Sequence, residues 1–242
     1  MPKPSHIELP TGDRIPILYE DRSVLAIDKP RGWMRVPFSW QNTDRNLHAA
    51  LMSSIAARDF WARSRNLKYL RFVHRLDADT SGVLLLAKSP GAVDTFGGLF
   101  ESRRSEKAYL AVVCGLPEPR EWSCRLKLAP DPRSRGRMRV DARHGKEAET
   151  HFRVLQSKGN TTLVEARPVT GRTHQIRVHL AESGYPVVGD EFYGPPQAKH
   201  DKELGLRAVS MSYMDPFVRR QVEIRAPMAE FVREYGFDIP KL

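Results

Sequence analysis

Short apolar runs of strand length alternate along the chain with longer stretches of helical spacing. Residues 17–19 and 23–27 read as two strands about the polar Glu20-Asp21-Arg22 turn. Leu47, Leu51 and Ile55, followed by Phe60 and Trp61, form an apolar stripe that predicts one amphipathic helix over residues 43–65. Val83-Leu84-Leu85-Leu86-Ala87 is a continuous apolar run bounded by turn residues, the mark of a buried strand. Ser89-Pro90 places a cap and a first-turn proline before a helix that runs to about residue 104. Strands are expected at 107–115, 122–128, 137–141, 148–155, 161–168, 208–213 and 221–224. Two more helices are expected, at 172–183, closed by Gly184, and at 228–235. Strands interleaved irregularly with helices predict an α+β fold with a mixed, largely antiparallel central sheet.

Charge changes the picture. Lys and Arg number 39 against 29 Asp and Glu, a net charge of +10 that suits a polyanionic partner. The 242 residues allow one substantial core or two small ones. Cys114 and Cys124 both lie in strand-like runs and read as buried thiols rather than a disulfide framework. No apolar run approaches the roughly 18 residues of a membrane helix, and residues 1–6 lack a signal-peptide core. The expectation is a soluble, cytoplasmic monomer without a membrane partner.

The densest chemistry stands directly before the apolar run at 83–87, in His74-Arg75-Leu76-Asp77-Ala78-Asp79-Thr80-Ser81-Gly82. A strand would hold Asp77 rigidly on this loop, and a carboxylate beside Arg75 suits a nucleophile better than a proton donor. A calcium loop would use Asp77, Asp79, Ser81 and Gly82 at positions 1, 3, 5 and 6, but position 12 falls on Lys88 instead of a bidentate Glu. An aspartyl-phosphate loop would want a glycine-rich phosphate cradle, and the strand here follows the acid. A capped structural turn, with Asp77 and Asp79 bonding their own backbone, is the default for these nine residues taken alone.

They are not alone. The pattern His74-Arg75-Leu76-Asp77-x-x-Thr80-Ser81-Gly82 resembles the catalytic signature of the RluA family of pseudouridine synthases. In the family's order follow Lys107-Ala108-Tyr109-Leu110-Ala111 and Gly145-Lys146-x-Ala148-x-Thr150. A third motif, Arg167-Pro168-x-Thr170-Gly171-Arg172-Thr173-His174-Gln175-Ile176-Arg177-Val178-His179, precedes Gly189-Asp190 and Tyr193-Gly194. The resemblance spans residues 16–227 and implies the pseudouridine synthase fold, with helices flanking the sheet and an active-site cleft on one face. It implies isomerisation of uridine in ribosomal or transfer RNA, with base flipping and no cofactor. Asp77 would be the catalytic carboxylate, Arg177 its basic partner and Tyr109 the ring that stacks on the base. Arg75 would fill the gap left by the flipped base, and His74, Arg172 and His174 would contact RNA. Residues 1–15 are too few for the small S4 RNA-binding domain of many relatives, so 16–242 is expected to be a bare catalytic domain.

Three further readings are local. Arg133, Arg135, Arg137 and Arg139 recur with period two, which on a strand would project all four to one side as an RNA-backbone grip. The competing reading is a solvated basic hairpin. His174 and His179 are five residues apart, about 140° around a helix, and no cysteine or acid completes a zinc set, so no metal is expected. Leu206-Arg207-Ala208 and Asp215-Pro216 depart from the family's Leu-His-Ala and His-Pro, at positions expected to lie away from the chemistry. A non-catalytic RNA-binding protein that kept the fold is the competing function. Asp77, Tyr109 and Arg177 argue against it, since binding alone needs no nucleophile.

Overall fold

A run of five apolar residues needs cover on both faces, and residues 83–87 are all buried. The computed structural model describes residues 2–9, 11–34, 45–194 and 203–241. In chain order the elements are β1 (His6–Glu8), β2 (Arg14–Glu20), β3 (Val24–Lys29), α1 (Leu47–Ala56), α2 (Phe60–Arg63), β4 (Arg71–Phe72), β5 (Ser81–Ala87), α3 (Pro90–Glu101) and β6 (Ser105–Cys114). There follow β7 (Glu121–Cys124), β8 (Leu128–Pro130), β9 (Met138–Val140), β10 (Thr150–Lys158), β11 (Thr161–Pro168), α4 (Gln175–Glu182), β12 (Leu206–Met214), β13 (Gln221–Arg225) and α5 (Ala229–Glu234). The class is α+β with a mixed central sheet, as the sequence predicts.

The chain divides into two compact units, and the division falls inside β12: residues 210–214 go with the first unit and 206–209 with the second. In the first unit β1, β2, β3 and β5 follow one another as antiparallel neighbours, with β4 also on β5 and β13 on β12. Val24, Val83, Leu85, Phe96, Met211 and Ile224 meet in its core. The α3 helix starts where the sequence places it, because the Ser89 hydroxyl accepts the Ala92 N–H at 3.2 Å. Residues 6–8, expected to precede the first strand, form β1 and bury Ile7.

The single helix expected over 43–65 is two. Arg58 takes a left-handed conformation (φ 58°) and ends α1; Asp59 then accepts from Ser54, whose oxygen also takes the Trp61 indole N–H at 2.7 Å. That local network outbids helical continuity, and residues 43–44 lie outside the described residues.

In the second unit β6, β11, β10 and β7 are successive antiparallel neighbours, and β8 with β9 forms a separate hairpin. The strand expected over 122–128 is broken because the chain changes partners: Cys124 pairs with Thr150, whereas Leu128 pairs with Val140. Leu110, Val112, Leu163, Phe231 and Val232 fill the core. Arg207 is structural here, its Nε donating to the Pro227 carbonyl at 2.9 Å.

Leu85 is fully buried in the most apolar strand. Leu85→Ala should lower the unfolding free energy by about 2–5 kcal/mol in urea titration, through lost burial and the cavity left behind.

Candidate active site

The loop that carries Asp77 is fixed from below by residues on both sides. Leu76 is buried, while Asp77 is half-buried and Arg75 exposed. Beneath the loop lies Lys29, the last residue of β3 and only 1 % exposed. Its ammonium donates to the carbonyls of Ala78 (2.6 Å), Thr80 (2.9 Å) and Pro30 (2.9 Å), one oxygen for each of its three protons. Burial pulls the Lys29 pKa down to about 8, and the charges of Asp79 and Asp77 pull it back up. The carbonyls it holds belong to residues 78 and 80, so the turn directly after Asp77 cannot wander.

His74 has a structural duty in the same unit. Its Nε2 accepts the Leu85 N–H at 3.0 Å, and its ring stacks on Phe100 at 4.9 Å. This ties the start of the loop to β5 and α3.

In the second unit the third motif folds around Gln175, which is buried. Its side-chain oxygen accepts from Thr170 Oγ1 (2.6 Å) and the Arg172 N–H (3.0 Å), and its amide donates to Glu149 O (2.9 Å) and Thr150 Oγ1 (3.0 Å). His174 precedes α4 in a left-handed conformation (φ 52°), which ends the turn and starts the helix later than the predicted residue 172. Arg172 is half-buried, with its Nε on Glu147 O at 2.9 Å.

Arg177 is no solvated helix cation; its side chain is 3 % exposed. Within its unit it makes a two-pronged pair with Asp190, Nε to Oδ2 and Nη2 to Oδ1, both at 2.7 Å. Asp190 is wholly buried and also accepts the N–H groups of Phe192 (2.9 Å) and Tyr193 (3.1 Å). The guanidinium lies 5.4 Å from the Phe192 ring and 5.3 Å from that of Tyr193. Burial pushes the Tyr193 phenol up to about 12. Its oxygen accepts the Met138 N–H at 2.8 Å and meets His174 Nδ1 at 2.8 Å. Tyr109 sits on β6, opposite Ala166 of β11 and 9 % exposed. Burial lowers the pKa of neighbouring Lys107.

The four arginines of the basic run do not share one side of a strand. Only Arg139 lies within β9, where it pairs with Asp141 at 2.8 Å. Residues 131–137 form a closed turn, with the Asp131 N–H bonding Arg137 O at 2.9 Å and Asp131 Oδ1 accepting the Arg133 N–H at 3.0 Å. Proline and aspartate chemistry therefore overrides the strand reading. Arg133 and Arg135 end at the exposed hairpin tip, and Arg137 folds back over Tyr193 at 5.3 Å. The two histidines considered for metal have other company. His179 Nδ1 meets Thr150 Oγ1 at 2.9 Å and its Nε2 meets Leu126 O at 3.1 Å.

Three residues that hold the motifs in place were given no role by the sequence: Lys29 in the first unit, and Asp190 and Tyr193 in the second. A lysine closing an apolar strand before a proline was a usable signal for the first. The other two were legible only as parts of a motif.

Residues 23–182 match the family described as RNA pseudouridylate synthase. Ribosomal large subunit pseudouridine synthase C of Vibrio vulnificus (strain CMCP6) is 34% identical over 223 residues, covering 88% of this chain and 66% of that protein, just under two thirds of its length. Dual-specificity RNA pseudouridine synthase RluA of Escherichia coli (strain K12) is 32% identical over 213 residues, covering 87% of this chain and 92% of that one. Among solved structures, human RNA Pseudouridylate Synthase Domain Containing 1 superposes with a TM-score of 0.69 at 27% identity, covering 88% of this chain and 83% of that one.

Lys29→Met should lower the unfolding free energy by about 2 kcal/mol or more, because one buried and two half-buried carbonyls lose their donor; urea titration measures it. Burial also holds the His179 pKa below 6.5. The unfolded chain therefore binds a proton that the folded chain refuses, so stability is full above about pH 6.5 and falls as pH drops below it. A plot of unfolding free energy from pH 7.5 to 5 should show that loss, and it should flatten in His179→Gln.

Proposed function

This chain belongs to the RNA pseudouridylate synthase family, and from that premise we propose that it isomerises uridine to pseudouridine in structured RNA. The bond from ribose C1′ to N1 breaks, the base turns while held, and C1′ bonds to C5. N1 ends protonated and the hydrogen on C5 leaves, so atoms balance without a redox partner, a group donor or a cofactor. Asp77 is the carboxylate that acts on the reacting nucleotide, by covalent attack or by stabilising charge. Tyr109 holds the freed uracil by stacking, and Arg177 is the basic residue of the reaction. Arg75, exposed on the catalytic loop, takes the place of the extruded base. Arg172 and His174 of the third motif, with Arg133, Arg135, Arg137 and Arg139 of the hairpin, are proposed to meet the RNA.

One observation carries this reading. The carboxylate of the family signature stands on a loop whose following residues are clamped by a buried ammonium. A placement fixed to a fraction of an ångström is what catalysis on a flipped base needs and what simple binding does not. Relatives are named for large-subunit ribosomal RNA and for dual specificity. Both RNA classes are therefore proposed substrates.

The test is tritium release from RNA carrying 5-tritiated uridine, run in EDTA on ribosomal and transfer RNA transcripts. Wild type should release tritium from at least one RNA, and Asp77→Ala should be slower by roughly three orders of magnitude or more. Release that survives Asp77→Ala would show that the catalytic residue lies elsewhere. RNA binding without release by the wild type would favour a fold kept for binding.

A further inference from the structure

Away from the catalytic loop, the β12–β13 connection in the first unit displays apolar surface that the core does not use. Met214 is 49 % exposed, Phe217 55 % and Val218 66 %. These are three large hydrophobics within five residues, and they stand on a stiff support. Asp215, 4 % exposed, accepts the N–H groups of Phe217 (2.8 Å) and Val218 (3.0 Å). Its own N–H bonds Arg220 O at 2.8 Å, and the Arg219 N–H bonds Asp215 O at 2.9 Å. The Phe217 ring leans on fully buried Phe96 at 6.0 Å, so one edge is anchored and the rest faces water.

Arginines follow this ring directly in the chain: Arg219 and Arg220 are both exposed, and the Arg220 side chain hydrogen-bonds with Tyr19 of β2, which leaves Arg219 as the cation beside Phe217. Acids of the adjoining elements are engaged by the fold: Asp215 as just described, Asp21 by the N–H groups of Ser23 (2.7 Å) and Val24 (2.8 Å) and the Tyr19 hydroxyl (3.0 Å), and Glu223 of β13 by Arg225 at 2.7 Å. Arg219 keeps a left-handed backbone (φ 50°), where glycine would sit with less strain. An exposed aromatic ring two residues before an exposed arginine offers a π-face for a base and positive charge for the phosphates beside it.

We infer that this turn is a second RNA contact, in which Phe217 stacks an unpaired base and Arg219 meets the adjoining backbone. It rests on the RNA reading above and extends it to a point distant from the chemistry. Tyr213 lies within electrostatic reach of Tyr19 and Asp21, and Val24 pairs with Ala87 at the far end of β5. The seven residues of β5 thus separate the turn from the catalytic loop by about 20 Å. That is about six base-pair steps of a duplex, a span any folded transfer or ribosomal RNA covers. The contact would select RNAs by what lies beside the target uridine, not by the uridine itself.

The test uses the full chain with transfer RNA and large-subunit ribosomal RNA transcripts. It reads affinity by fluorescence anisotropy, turnover by tritium release and mass by light scattering. Phe217→Ala should raise Kd and KM by roughly 5- to 150-fold with kcat unchanged, and Phe217→Trp should restore both. Arg219→Gln should lower the slope of log affinity against log salt by roughly 0.7–0.9. An unchanged Kd in Phe217→Ala, or no recovery in Phe217→Trp, would overturn the inference. So would a wild-type dimer that Phe217→Ala converts to monomer, which would give the ring to a second copy of the chain. If wild type releases no tritium, the isomerase reading fails, while the anisotropy of the same variants still decides the turn.

Discussion

An ammonium shut away from water must find an oxygen for each of its protons, and the loop that carries Asp77 is organised around that demand. Lys29 ends a strand whose first four residues are apolar and buried, and it donates to the carbonyls of Pro30, Ala78 and Thr80. Two of them follow Asp77 in the chain, so the loop is shaped by the need to solvate a buried charge. Leu76, buried between two half-exposed or exposed neighbours, adds an apolar anchor. His74 adds a third attachment, to the backbone of β5 and the ring of Phe100. The backbone that carries Asp77 needs no secondary structure of its own to be held in place.

The second unit meets a similar demand differently. Arg177 is as buried as Lys29, but its flat guanidinium calls for a flat acceptor, and Asp190 supplies one. Tyr193 then joins three parts of the unit: Arg177 faces one ring contact, Arg137 another, and the phenol oxygen meets both His174 and the Met138 backbone. The basic hairpin is therefore seated on the same residues that hold Arg177, and is no free arm.

Much of this was legible in the sequence, and the failures have physical causes. The continuous apolar run bounded by turn residues gave β5 with little error, and the strand expected over 161–168 is β11, although Glu165 and Arg167 interrupt its apolar positions. The Ser89-Pro90 start of α3 held because cap chemistry is local. The helix split at Arg58 could not be read, since Ser54, Asp59 and Trp61 decide it through side-chain bonds that no periodicity encodes. The period-two arginines misled for a related reason: spacing describes a strand only where the backbone is one, and Asp131 turns it. The motifs named Asp77, Tyr109 and Arg177 as candidates. The residues that hold such groups, Lys29 and Asp190, act through geometry between distant chain segments. Only the fold reveals that.

Strand β5 is buried at all seven of its positions. Such a strand tolerates a new charge nowhere along its length, and even a change of volume is felt. Change is thereby left to the loops at its two ends, one bearing the signature acid and the other, Lys88-Ser89, leading into α3. On the proposed assignments, a lineage with this architecture changes which RNA it contacts without touching the strand beneath Asp77, so substrate range and catalytic competence evolve at different speeds.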